Sequence, residues 1–129
     1  MRGRLQNTLR RLTRVARPIA LRSAGRSGSP TSVVRHIGRR SGRAYETPVV
    51  AVKHDDGFLI ALPYGPRTDW LQNVLAHHGA GLVMDGQTYE VDQPEVIPMA
   101  EATSYFRQKE QRLHRQFGVD SALKVHRAS

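Results

Sequence analysis

From residue 32 onward the chain alternates short hydrophobic runs with turn residues, a texture that fits strands rather than long helices. The run Ser-Val-Val-Arg-His-Ile at 32–37 predicts a first strand, and residues 45–53 predict a second. Asp55, Asp56 and Gly57 predict a hairpin turn into a strand at 58–62. The pair Asp85-Gly86 predicts another hairpin, joining 80–84 to 87–91, and 94–97 predicts a last strand. Two segments carry a helical period instead. Residues 69–78 predict a helix with Thr68 or Asp69 as N-cap and Gly79 as its stop. Residues 99–117 predict another, with Ala102, Tyr105, Phe106, Leu113 and Phe117 as a core face and Arg107, Lys109, Arg112 and Arg115 as a solvated one. Five or six antiparallel strands with a helix inserted midway give a mainly β (α+β) domain. Because hairpins dominate the connections, a small barrel is expected rather than a parallel sheet.

Before that domain the pattern is different. Leu5, Leu9, Leu12 and Val15 or Ala16 recur at helical spacing among Arg4, Arg10, Arg11, Arg14 and Arg17, and Pro18 stops the run. A basic amphipathic helix of this kind either packs its leucine stripe on the barrel or lies on an anionic membrane surface. Residues 23–30 hold two glycines and three serines and predict a loop or linker. The expected organisation is a basic helix and linker over 1–30 and a barrel domain over 31–129. At 129 residues there is room for one modest core.

Charge sharpens this division. The net charge is +9, yet no Asp or Glu occurs before Glu46, while the first 45 residues hold twelve arginines. Such a block attracts phosphates, carboxylate-rich ligands, nucleic acid or anionic lipid. The chain has no cysteine, which excludes disulfides, thiolate metal sites and a thiol nucleophile and is compatible with a reducing cytoplasm. No apolar run approaches the roughly 18 residues of a spanning helix. An arginine-rich, acid-free start also fits an organelle transit peptide, but no processing site is evident. His77 and His78 point about 100° apart on a helix, and His36, His54, His114 and His126 show no ligand spacing, so no metal site is expected.

The most informative stretch is the bend Gly38-Arg39-Arg40-Ser41-Gly42-Arg43 between two strands. Its glycines permit a tight turn, Ser41 adds a hydroxyl, and three guanidinium forks suit phosphate or carboxylate. The bend reads as an anion cradle or, equally, as a solvated basic hairpin. C-terminal to it come Thr47-Pro48-Val49-Val50 in the next strand, Ala61-Leu62-Pro63-Tyr64-Gly65 closing the third, and Asp69-Trp70-Leu71-Gln72-Asn73 opening the helix.

This order resembles the deazaflavin-dependent nitroreductase family, whose members are also described as quinone reductases using reduced coenzyme F420. The likeness covers about residues 34–97 and rests on a Gly-Arg-Lys/Arg-Ser-Gly turn, an Asn/Thr-Pro strand and a Trp-x-x-Asn helix start occurring in sequence. It implies a split β-barrel with the deazaflavin in a groove. Carried across by position, Arg39, Arg40, Ser41 and Gly42, with Arg43 beside them, would bind the cofactor's phosphate and oligoglutamate tail. Thr47, Pro48 and Val50 would line the ring site, Ala61, Pro63 and Tyr64 would approach the ring from the third strand, and Trp70 and Asn73 would close the pocket.

The implied reaction is hydride transfer from reduced F420 to a quinone, a nitroaromatic or an activated enone. Tyr64 and Tyr105 are the candidate catalytic donors to charge developing on that acceptor. The chain departs from the family in having Leu62-Pro63 where a Ser is common, in having Tyr105 alone near the C-terminal end, and in placing Tyr45 at an often basic position. Two alternatives stand beside this reading: a split barrel that binds FMN, and a basic nucleic-acid-binding barrel. The second is disfavoured because the few aromatics are not interleaved with the arginine block. The expected partner is a small-molecule electron acceptor, for a cytoplasmic monomer or homodimer; a membrane surface, met peripherally through residues 1–22, is the alternative to that helix packing on the barrel.

Overall fold

The computed structural model describes residues 24–128; the expected basic helix before Pro18 lies outside the described residues. Among these residues, seven strands form one antiparallel sheet: β1 (Ser32–Ile37), β2 (Ala44–Val49), β3 (Ala51–His54), β4 (Gly57–Ala61), β5 (Gly79–Met84), β6 (Gln87–Pro98) and β7 (Ser121–Arg127). Their order is β2-β1-β5-β6-β7-β4-β3. β2 and β3 are therefore the two edges, yet Val50 alone separates them in sequence. A flat sheet of this width cannot have its edges one residue apart, so the sheet must curl round until they meet. The fold is an α+β split-barrel-like half-barrel, and Val50 marks where the chain crosses from one edge to the other.

The strand predicted over 45–53 is thus two strands, because side-chain alternation continues through the crossing at Val50 and hides the change of pairing partner. The strand at 94–97 is the end of the longer β6, whose register shifts between Asp92 and Glu95. Gln93 adopts a φ of 52° there, and the irregularity lets Pro94 sit in a strand that would otherwise need its N–H. The tail beyond Gly118, which carries no clear element in the sequence, forms β7. It lies between β6 and β4 and completes the hydrogen bonding of both.

Three helices flank the sheet among the described residues: α1 (Asp69–His77), α2 (Met99–Ala102) and α3 (Gln108–Gln116). α1 ends one residue earlier than its glycine suggests, on His78 in the left-handed region at φ 56°. The helix expected over 99–117 is interrupted. A 3-10 turn spans Thr103–Tyr105, and Phe106 and Arg107 are extended with ψ of 158° and 153°. α3 then restarts where the Glu110 carboxylate accepts the Arg107 backbone N–H at 3.1 Å. The break lets Phe106 turn inward, where it is buried.

Alternation along β4 divides the core. Phe58, Ile60 and Leu62 pack with Leu71, Val74, Leu82 and Leu123 on one side. Leu59 and Ala61 pack with Met99, Ala102 and Phe106 on the other. With helices covering one face and the barrel interior the other, every residue of β4 is buried. The stretch expected as a loop or linker forms turns, anchored at its start. Ala24 is buried with Val33 and Val83, and the Gly25 carbonyl accepts the Gly86 N–H at 2.7 Å.

Candidate functional site

The β1–β2 register pairs Ile37 with Ala44, so 38–43 is the loop of this hairpin. Gly42 turns it at φ 70°, a conformation that disfavours residues with a Cβ. The loop is braced from within: the Gly42 N–H donates to the Gly38 carbonyl at 2.9 Å, and the Gly38 N–H to the Arg43 carbonyl at 2.8 Å. The Arg43 N–H donates to Ser41 Oγ at 3.2 Å, and that oxygen lies 3.3 Å from Tyr45 Oη.

Its three arginines have different surroundings. Arg39 is bound to α1, with its backbone N–H and Nη1 both donating to Asn73 Oδ1 at 3.0 and 2.8 Å and Nη2 meeting Asp69 Oδ1 at 3.2 Å. Arg40 and Arg43 are exposed, and neither forms an ion pair among the described residues. The loop therefore presents two uncommitted cations on a backbone that a third arginine ties down.

Beside the loop lies a groove of about 600 Å³, lined by Arg39, Arg40, Ser41, Thr47, Trp70 and Asn73 among others. A slot of about 690 Å³ with mainly apolar walls adjoins it. Pro48, Val50, Ala61 and Pro63 form one side, and Leu113 of α3 with Phe117 just past its end form another. Thr47 and Trp70 belong to both walls. The slot opens at the crossing between the sheet edges, where Pro48 contributes no backbone N–H of its own.

The residues expected at the ring site, Thr47, Pro48, Val50, Ala61, Pro63, Tyr64 and Trp70, all line this slot. Gly42 and Arg43 line neither cavity and act on the loop's conformation and charge. Tyr64 stands at the slot's rim, 86% exposed. Tyr105 lines neither cavity; its ring meets His54 edge-on, with centroids 4.4 Å apart, because the 3-10 turn carries it to the β3 side of the barrel.

Sequence reasoning passed over three histidine and threonine positions. His36 lines the groove and is buried, which lowers its pKa to about 4. Its signal was a histidine in a strand whose every residue is buried. His114 and Thr68 line the slot, and His114 Nδ1 and Thr68 Oγ1 are buried without a hydrogen-bond partner among the described residues. Burial lowers the His114 pKa, while the nearby Glu110 carboxylate raises it. Thr68 shows in sequence only as a candidate helix N-cap, and nothing local marks His114 as a slot residue, because the break before α3 decides which face of that helix meets the slot.

The model of the F420H(2)-dependent quinone reductase family matches residues 8–126. The chain belongs to this family. The family's name is that of an oxidoreductase, and the basic loop and apolar slot lie within the matched span. No curated protein matches the chain. Among solved structures, the family reading is accompanied by fold likeness at low identity. An F420-H2 dependent reductase (FDR-A) is 12% identical with a TM-score of 0.55, over 75% of this chain and 94% of that one. A protein of unknown function from Agrobacterium tumefaciens is 14% identical with a TM-score of 0.58, over 78% of this chain and 49% of that one. A conserved hypothetical protein from Mycobacterium tuberculosis is 11% identical with a TM-score of 0.56, over 79% of this chain and 75% of that one. Among the described residues, no helix is long and apolar enough to cross a membrane.

Proposed function

We propose that this chain binds coenzyme F420 across the groove and slot and catalyses hydride transfer from its reduced form to a quinone. The observation that carries the reading is that the two cavities adjoin, sharing Thr47 and Trp70 as lining residues. A ligand with a polyanionic tail and a flat apolar ring system needs a cationic loop and an apolar cleft within one ligand length. The Arg40 and Arg43 guanidinium groups supply the first and the slot supplies the second.

The bound deazaflavin supplies the hydride. The protein's own residues do the rest. Arg40 would hold the tail through charge-assisted hydrogen bonds and Arg43 would add to the attraction through its charge, on a loop kept rigid by Arg39 and Asn73. Trp70, Pro48, Val50 and Ala61 exclude water from the ring plane and orient it. Tyr64, on the rim, is the tyrosine placed to donate a hydrogen bond to an acceptor oxygen as negative charge builds on it. Tyr105, turned toward His54, has no such placement.

Titration of the purified protein with oxidised F420 and, separately, with FMN tests the assignment. Saturable micromolar binding of F420 with weak or no binding of FMN is expected. FMN binding with no response to F420 would show the assignment to be wrong. Turnover of a panel of quinones, nitroaromatics and enones with reduced F420 then ranks the acceptors, with quinones expected to lead.

A further inference from the structure

His36 and Thr47 lie on one face of the β1–β2 hairpin. His36 pairs with Tyr45 in register, and Thr47 is the diagonal neighbour two residues on. The His36 ring stacks on Tyr45 at 5.7 Å. Its Nε2 lies 2.9 Å from Thr47 Oγ1, and its Nδ1 lies 3.1 Å from Asn73 Nδ2.

The direction of each hydrogen bond in this series is set by Arg39. Its backbone N–H and its guanidinium are both donors and both point at one atom of the Asn73 amide. That atom must be the oxygen, since an NH2 group there would face two donors. The Asn73 NH2 group then faces His36 Nδ1 and must donate to it, so Nδ1 carries no proton. A neutral imidazole with a bare Nδ1 carries its hydrogen on Nε2, which donates to Thr47 Oγ1. Burial, which disfavours the charged ring, agrees with this neutral form. The Thr47 oxygen is thereby used as an acceptor, and its own hydrogen has no protein acceptor among the described residues.

We infer that His36 is a positioning residue that fixes the Thr47 hydroxyl as a hydrogen-bond donor at the junction of groove and slot, where it selects a ligand presenting a carbonyl oxygen. The inference rests on the proposed function in taking that carbonyl to belong to the ring system in the slot. The opposite tautomer would leave Thr47 donating to His36, with only lone pairs toward the ligand and a mismatch against carbonyl oxygen.

Two measurements test it. Long-range nitrogen–proton correlation spectra of the protein without ligand, near neutral pH, should show His36 Nδ1 unprotonated and Nε2 protonated. A protonated Nδ1 overturns the inference. In parallel, Thr47→Val, Thr47→Ser, His36→Leu and His36→Gln are titrated with oxidised F420 and with FMN. Thr47→Val and His36→Leu should weaken binding of whichever ligand the wild type takes by roughly 5-fold or more. Thr47→Ser keeps the hydroxyl, and His36→Gln keeps both an acceptor and a donor, so each should stay within about 2-fold of wild type. Unchanged affinity in Thr47→Val overturns the inference even where His36→Leu fails to fold. Binding of FMN alone defeats the function proposed above but leaves this test intact, because FMN also carries ring carbonyls. Binding of neither ligand by the wild type overturns both.

Discussion

Asn73 Oδ1 accepts two hydrogen bonds from Arg39, one from the backbone N–H at 3.0 Å and one from Nη1 at 2.8 Å. A single side chain on α1 thus fixes both the path of the β1–β2 loop and the direction of one of its cations. Arg39, by sequence a ligand for the cofactor tail, is a structural clamp before it is anything else.

Replacing Asn73 by Ala removes the partner of the Arg39 N–H and of the buried His36 Nδ1 and leaves Arg39 Nη1 with the Asp69 carbonyl at 3.4 Å. The expected loss is about 1–3 kcal/mol of stability, read from the urea midpoint at unchanged m-value. Asn73→Asp should be no rescue, because its carboxylate would satisfy Arg39 but present no donor to His36. A variant as stable as wild type would mean that the loop is held by its internal bonds alone.

Arg40 and Arg39 should separate in a binding assay. Arg40→Glu reverses an exposed charge that forms no ion pair among the described residues, so stability should be unaltered while F420 affinity falls by at least about 1.5 kcal/mol, roughly tenfold. Arg39→Ala should lower stability as well as affinity. The Arg40 effect should shrink as salt is raised, since it is electrostatic; equal affinity of Arg40→Glu and wild type at low salt removes the loop from the site.

The His36 environment has a consequence for acid stability. Burial lowers its pKa from 6.5 to about 4. Between those values the unfolded chain binds a proton that the folded one refuses, so stability is lost as pH falls through this window and is independent of His36 above it. The full loss amounts to roughly 3 kcal/mol. His114, lowered by burial against the pull of Glu110, adds a loss of the same sign. Thermal midpoints measured from neutral pH downward should fall more steeply for wild type than for His36→Gln. Parallel curves would show that His36 charges freely in the folded protein.

The sequence exposes those parts of the molecule that are decided locally. The two-residue turn at Asp85-Gly86, with φ of 51° and 80°, shows in its residue types, as do the loop glycines and the helix opening at Asp69-Trp70. What it conceals depends on distant partners. Val50 belongs to a run of alternating side chains, and only pairing with β1 on one side and β4 on the other reveals it as a crossing. Phe117 and Leu113 have the spacing of a core face, yet they are 70% and 42% exposed, because the break at Phe106 turns that face toward the slot. His36 reads as a histidine without ligand spacing until Asn73, far along the chain, is brought against it.

β7 offers the sharpest case of such dependence, and it can be tested at its contact with Gly57. A Cβ on Gly57 would press on the Val125 carbonyl oxygen and His126 Cα, both backbone atoms of a strand held between β4 and β6. They cannot swing aside as a flexible side chain would, so the strands must separate where Gly57 pairs with His126. Gly57→Ala should therefore destabilise by about 2 kcal/mol or more, a cost of overpacking against a fixed backbone. Leu123→Ala, which empties a fully buried position of the same strand, should cost about 2–5 kcal/mol by a different route, loss of apolar burial plus a cavity. The two substitutions act on neighbouring strands in contact, so their effects should not add. Urea unfolding of both single variants and the double variant measures this coupling. A harmless Gly57→Ala would place β7 farther from the β3–β4 hairpin than the close approach at Val125 requires.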